Sequence, residues 1–66
     1  MDILVNGQLR TARDDLTVAA LVAELGLAGK RLAVEVNCDI VPRGEHAARA
    51  LRDGDRIEII HAIGGG

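Results

Sequence analysis

Leu16-Thr17-Val18-Ala19-Ala20-Leu21-Val22-Ala23-Glu24-Leu25-Gly26-Leu27 is the stretch on which the fold turns. Val18, Leu21, Val22 and Leu25 fall at i, i+3, i+4 and i+7, which draws one apolar stripe along a helix. Thr17 suits the N-cap, because its hydroxyl can accept a hydrogen bond from a free first-turn amide. Leu16 and Leu21 occupy the two positions of a hydrophobic staple across that cap. Gly26 suits a left-handed C-terminal cap, with Leu27 able to fold back on Val22. A single amphipathic helix cannot bury its stripe alone. The flanking segments must therefore supply a sheet.

They read that way. Before the helix, Asp2-Ile3-Leu4-Val5 is strongly β-forming and runs into Asn6-Gly7, the preferred pair for a tight hairpin turn. A second strand is expected over Gln8 to Ala12. Alternation points Ile3 and Val5 at the core and Leu4 at the other face. After the helix, Leu32, Val34 and Val36 alternate with Ala33, Glu35 and Asn37. Asn37-Cys38-Asp39 reads as a turn into a short extended piece, Ile40-Val41, which Pro42 stops. Glu45 to Leu51 is expected to form a short helical turn, with Leu51 plugging the core beneath it. Asp53-Gly54-Asp55 is a further turn. Arg56 to Ile63 is the last strand, with Ile57 and Ile59 on one face and Glu58, Ile60 and Ala62 on the other. The order strand, strand, helix, strand, short strand, strand predicts an α+β β-grasp (ubiquitin-like) fold. One helix crosses a mixed sheet of four or five strands, and the first and last strands pair in parallel at its centre. Residues 1–63 form that domain and residues 64–66 a glycine tail.

Composition narrows the function. Sixty-six residues make one domain, and 48% of them are apolar, enough for a core rather than disorder. A chain this short buries only roughly 60% of the surface it exposes unfolded, so its stability is thin. The core is aliphatic, since Phe, Tyr and Trp are absent, and the single cysteine permits neither an internal disulfide nor a cysteine-built zinc site. A net charge of −2, with scattered arginines and no interleaved aromatics, gives nucleic-acid binding little support. The opening Met1-Asp2 does not resemble a signal peptide, and no apolar run approaches the ~20 residues of a membrane span. A lone unpaired thiol fits a cytoplasmic setting.

Gly64-Gly65-Gly66 directly follows the last expected strand. Glycine has no Cβ and roams widely in φ and ψ, so such a tail is thin enough to thread a channel and deliver its terminal carboxylate to a distant active site. Attack of that carboxylate on the α-phosphate of ATP would give an acyl-adenylate, and a sulfur nucleophile could then displace AMP to leave a thiocarboxylate. The other reading of three terminal glycines is a frayed end or an added linker. Composition alone leaves both open. Placement after a β-grasp domain favours the first.

The opening Ile3-Leu4-Val5-Asn6-Gly7, the helix led by Leu16-Thr17-Val18, the run Val36-Asn37-x-x-Ile40-Val41-Pro42-Arg43, the Asp53-Gly54-Asp55 turn and the Gly-Gly end together resemble the ThiS family, sulfur carriers of bacterial thiazole formation. The resemblance runs end to end. It implies that Gly66 is adenylated by an activating enzyme of the ThiF type and converted to a thiocarboxylate. Gly65 is then its required neighbour, and Gly64 stands where relatives often carry a small residue. Sulfur would come from a cysteine desulfurase or another donor and pass to thiazole synthase, ThiG. ATP would be used by the activating enzyme, and no cofactor is expected on the domain itself, which would be a protein co-substrate rather than an enzyme. The chain departs from typical relatives in its lack of aromatics and its third glycine. Leu4 and Ile60, which alternation places opposite the helix, are the candidate partner surface. The nearest alternative is the small subunit of molybdopterin synthase, which shares the fold and the Gly-Gly end but is usually longer. A different class is a non-covalent ubiquitin-like interaction module. An iron–sulfur β-grasp protein needs four cysteines and is excluded.

Other residues read as structural. Cys38 has no histidine or lysine beside it in sequence to activate it, so an incidental turn residue is the simpler reading than a persulfide relay. His46 and His61 lack metal-ligand spacing and are expected to be solvated or half-buried. Asp53 and Asp55 lack the remaining ligands of a calcium loop. Arg43 either pins the Pro42 loop or contacts a partner.

Overall fold

The computed structural model describes residues 1–61. Strands β1 (Asp2–Val5) and β2 (Gln8–Thr11) are followed by helix α1 (Val18–Glu24), strands β3 (Leu32–Val36) and β4 (Asp39–Val41), a 3-10 turn (Arg43–Glu45) and strand β5 (Arg56–His61). The sheet order is β2-β1-β5-β3-β4. β5 lies at the centre, parallel to β1 and antiparallel to β3. This is the expected β-grasp arrangement. The strand bounds differ a little: β2 stops at Thr11 and β4 begins at Asp39. Ala62 and Ile63 lie outside the described residues.

The helix ends are built as the local sequence dictates. Thr17 Oγ1 accepts from the Ala20 amide at 3.1 Å. At the other end Gly26 sits at φ +75°, the Leu27 amide donates to Val22 O at 3.0 Å and the Gly26 amide to Ala23 O at 3.0 Å. Those two bonds form a Schellman cap.

The core is wholly aliphatic. Ile3, Val5, Leu16, Val18, Leu21, Val22, Val34, Val36, Val41, Leu51, Ile57 and Ile59 form one buried cluster between the helix and one face of the sheet. Strand alternation explains the sorting: Ile59 is 7% exposed and its neighbour Ile60 is 60% exposed.

The segment after Pro42 bears out the helical turn expected over Glu45 to Leu51 only in its first part: the Ala48 and Arg49 amides donate to Glu45 O at 3.1 and 2.9 Å, and the turn goes no further. The 3-10 turn starts at Arg43, with Pro42 as its N-cap. The carbonyls of His46 and Arg49 then turn to α1. The Val18 amide donates to Arg49 O and the Ala19 amide to His46 O, each at 2.9 Å. These are first-turn donors that no intrahelical carbonyl can satisfy. Thr17 and Ala50 also form an isolated bridge. The segment is a cap for α1, which is why it does not continue as a helix. Leu51 is buried, as expected.

Candidate functional site

β5 is the element that leads toward the glycines. Its inward side chains, Ile57 and Ile59, anchor it in the core, and its outward ones, Arg56, Glu58 and Ile60, lie opposite the helix. Two asparagines hold its edges. Both sit in tight turns with positive φ, Asn6 at +50° beside Gly7 at +80°, and Asn37 at +52° beside Cys38 at +73°. Both pairs have the two positive φ values of a type I′ hairpin turn.

Each asparagine also reaches β5 with its side chain. Asn6 Oδ1 accepts from the Ile59 amide at 2.7 Å, and Asn6 Nδ2 donates to Ile59 O at 3.3 Å. Asn37 Oδ1 accepts from the Arg56 amide at 3.0 Å, and its Nδ2 donates to Asp55 Oδ1 at 2.9 Å. The turn preceding β5 is fixed as well. Asp53 Oδ1 accepts from the Asp2 amide at 2.7 Å and Asp55 Oδ2 from the Arg52 amide at 2.8 Å. Asp53 and Asp55 are thus turn residues, as read.

The outer face of the sheet is mixed. Leu4 pairs directly with Leu9 across β1 and β2. Ile60 pairs with Ala33, and Glu58 with Glu35, which in turn pairs with Ile40. Leu4 is half-buried; Leu9 and Ile40 are 71% and 72% exposed. Leu4 and Ile60 share this face, but they are not neighbours. Leu4 aligns with Arg56, so Ile60 lies four residues, about 13 Å, further along β5, with Glu58 between. Glu35 and Glu58 stand directly opposite each other, a like-charge pairing that costs stability. Neither has an ion pair among the described residues. Leu9 and Ile40 were not singled out from sequence, although β1–β2 pairing puts Leu9 on the face of Leu4.

The remaining candidates take structural roles. Arg43 donates to Lys30 O at 2.8 Å and so pins the Pro42 loop to the loop after α1. His46 is only 9% exposed, with Nε2 at 3.0 Å from Val41 O. The expectation of a solvated or half-buried side chain fails for it, because the segment that caps α1 folds its ring inward. His61 is half-buried. Cys38 is a free, exposed thiol. A cleft of about 250 Å³ lies between α1 and the 3-10 turn, lined by Val22, Leu27, Lys30, Arg43 and His46 among others, with no carboxylate or thiol on its walls. No group of three or more His, Cys, Asp or Glu side chains is placed to hold a metal among the described residues, and none of their helices is long and apolar enough to cross a membrane. Gly64, Gly65 and Gly66, the expected delivery tail and modification site, lie outside the described residues.

The model of the ThiS family matches residues 3–66, which is nearly all of the chain and includes the three glycines. The chain belongs to the ThiS family. Three relatives illustrate the range. A protein named thiazole synthase from Paramagnetospirillum magneticum is 44% identical over 66 residues, all of this chain but 20% of the relative. The sulfur carrier protein ThiS of Escherichia coli is 35% identical with both chains fully covered. A crystal structure of a thiamine biosynthesis protein (ThiS) from Geobacter metallireducens superimposes with a TM-score of 0.84 at 32% identity, again over all of both chains. This ThiS-family chain therefore spans about a fifth of the thiazole synthase it resembles and the whole of the single-domain relatives.

Proposed function

We propose that this ThiS-family chain is a sulfur carrier of thiamine biosynthesis whose cargo rides on the Gly66 carboxylate. The observation that carries the reading is the family match through residue 66 on a β-grasp body whose central strand leads to Gly64-Gly65-Gly66. A carboxylate does not exchange oxygen for sulfur until it is activated. A carboxylate oxygen of Gly66 attacks the α-phosphorus of ATP on a ThiF-type adenylyltransferase, and pyrophosphate leaves. Sulfide attacks the acyl carbon and AMP departs with the old carboxylate oxygen; a persulfide from a cysteine desulfurase would instead give an acyl disulfide, which a thiol reduces to the thiocarboxylate while itself being oxidised to a disulfide. With sulfide the balance closes without any change of oxidation state. The thiocarboxylate then donates its sulfur to a thiazole synthase of the ThiG type. That partner is supported by the thiazole synthase which carries a stretch similar to this whole chain.

The domain's share of this work is to hold and present. Ordering a tail in a narrow channel costs about 1–2 kcal/mol per residue, so contacts made by the folded body must offset it. The outer face is the candidate, with Ile60 at the end of β5 nearest the tail and Leu4 with Leu9 at the other end. Ile60→Asp should weaken binding to the activating enzyme while the fold stays intact, and unchanged affinity in a titration removes Ile60 from the contact.

Intact mass after incubation with ATP, the activating enzyme and sulfide tests the main claim. Replacement of one oxygen by one sulfur is the expected product, and it should vanish when Gly65 and Gly66 are deleted. A non-covalent interaction module would keep its binding after that deletion and gain no sulfur in the first experiment.

A further inference from the structure

We propose that Asn6 is a positioning residue for the glycine end: its side chain supplies the last rung, among the described residues, that holds β5 on the β1 side, and so fixes where the doubly held part of the strand ends. The inference rests on the carrier reading above. Along β5, residues 55, 57 and 59 turn their backbone groups toward β1. Asp55 O accepts from the Leu4 amide at 3.0 Å, and Ile57 O accepts from the Asn6 amide at 2.9 Å. The backbone of β1 then runs out, because Asn6-Gly7 turns the chain back into β2. Ile59 would face that gap with an amide and a carbonyl. The Asn6 carboxamide meets both, accepting from the first and donating to the second. A side-chain amide carries the same donor and acceptor as a peptide unit, so Asn6 acts as one more residue of β1 without lengthening the strand. On the other flank β3 follows β5 as far as the Leu32–His61 pair. The rung at Ile59 is what gives the last part of β5 two neighbours instead of one.

The consequence is quantitative. A strand end held on one side frays more readily, and every residue released joins the segment that a partner must order. Ordering one more backbone residue is worth about tenfold in affinity. Asn37 provides a matched comparison: it occupies the equivalent turn position, grips the same strand with the same group, and does so at Arg56, the end away from the glycines.

The experiment compares the wild-type chain with Asn6→Gly, Asn6→Asp and Asn37→Gly. Glycine accepts the positive φ of both turns, so the folds should persist. Pyrophosphate release on the activating enzyme is read as KM for the carrier and kcat, alongside hydrogen exchange of the Ile59 amide. Asn6→Gly should raise KM about tenfold with kcat little changed, and the Ile59 amide should lose its protection. Asn6→Asp keeps the acceptor for the Ile59 amide and loses the donor, so it should fall between wild type and glycine. Asn37→Gly should leave KM and Ile59 exchange as in wild type. An equal rise in KM from Asn37→Gly, or an Ile59 amide that stays protected in Asn6→Gly, overturns the assignment. A wild-type chain that releases no pyrophosphate counts against the carrier reading alone, since the exchange data still judge the hold on Ile59.

Discussion

Ile59 and Ile60 are adjacent, chemically identical and on opposite faces of the central strand, so truncating each in turn tests the register of the sheet. Ile59 is 7% exposed and belongs to the aliphatic core; Ile60 is 60% exposed and opposite Ala33. Ile59→Ala removes buried atoms and leaves a cavity, which costs about 2–5 kcal/mol. Ile60→Ala loses a β-branched side chain from a mostly solvated site, a cost of at most about 1 kcal/mol. For 66 residues a total stability of about 3–10 kcal/mol is typical. Ile59→Ala should therefore remove a large part of it, and the milder Ile59→Val, at about 0.5–1.5 kcal/mol, keeps the comparison measurable. Urea unfolding is the assay. At a slope of about 1 kcal/mol per molar, Ile59→Ala should lower the midpoint by at least about 2 M, and Ile60→Ala by no more than about 1 M. A one-residue slip would exchange the faces of both side chains. If Ile60→Ala proved the more damaging of the two, the register of β5, and with it the placement of Ile60 on an outward surface, would be wrong.

Three further outcomes follow from single sites. Thr17→Ala removes the acceptor for the Ala20 amide and should cost about 0.5–2 kcal/mol, visible as a lower Tm, while Thr17→Ser should restore most of it. Cys38 holds φ +73° without being glycine. Cys38→Gly should therefore stabilise by up to about 1 kcal/mol and leave sulfur loading intact, whereas loss of loading would revive a role for the thiol. The Arg13 guanidinium at 2.7 Å, with Arg10 at 3.1 Å, holds the Glu24 carboxyl below the usual carboxylate range. Its contribution is present above the unfolded pKa and is lost as pH falls through the depressed folded value. NMR titration of Glu24 should show its midpoint rising toward the ordinary range in Arg13→Ala, and by less in Arg10→Ala.

What was legible in the sequence is what short-range geometry decides. The helix was readable from its stripe because its caps are local: Thr17 reaches three residues ahead, and Gly26 with Leu27 folds back one turn. The first hairpin was readable because Asn-Gly tolerates two positive φ values in succession. The segment after Pro42 was legible only as far as its local turn at Glu45, because its later carbonyls bond to residues some thirty positions earlier. The expectation of a turn over Glu45 to Leu51 has no access to the unsatisfied amides of Val18 and Ala19. The same blindness hid His46, whose burial follows from that packing. In the candidate site the triglycine stood out by composition, whereas the separation of Leu4 from Ile60 depended on the register of β5 against β1, which no single strand encodes.

The second role of the asparagines was hidden for a related reason. Turn chemistry alone accounts for Asn6 and Asn37, and glycine would satisfy it at either position. Only the placement of β5 between the two turns shows why a side chain is useful there: each turn ends a neighbouring strand, and each carboxamide bonds into the edge of β5. β5 must serve the core through Ile57 and Ile59, the outer face through Ile60, and the glycines through its C-terminal end. A substitution at Ile57 or Ile59 disturbs the core together with the strand's C-terminal end. The asparagines touch the strand from outside the core, so changing them can separate the strength of the fold from the delivery of its last residues.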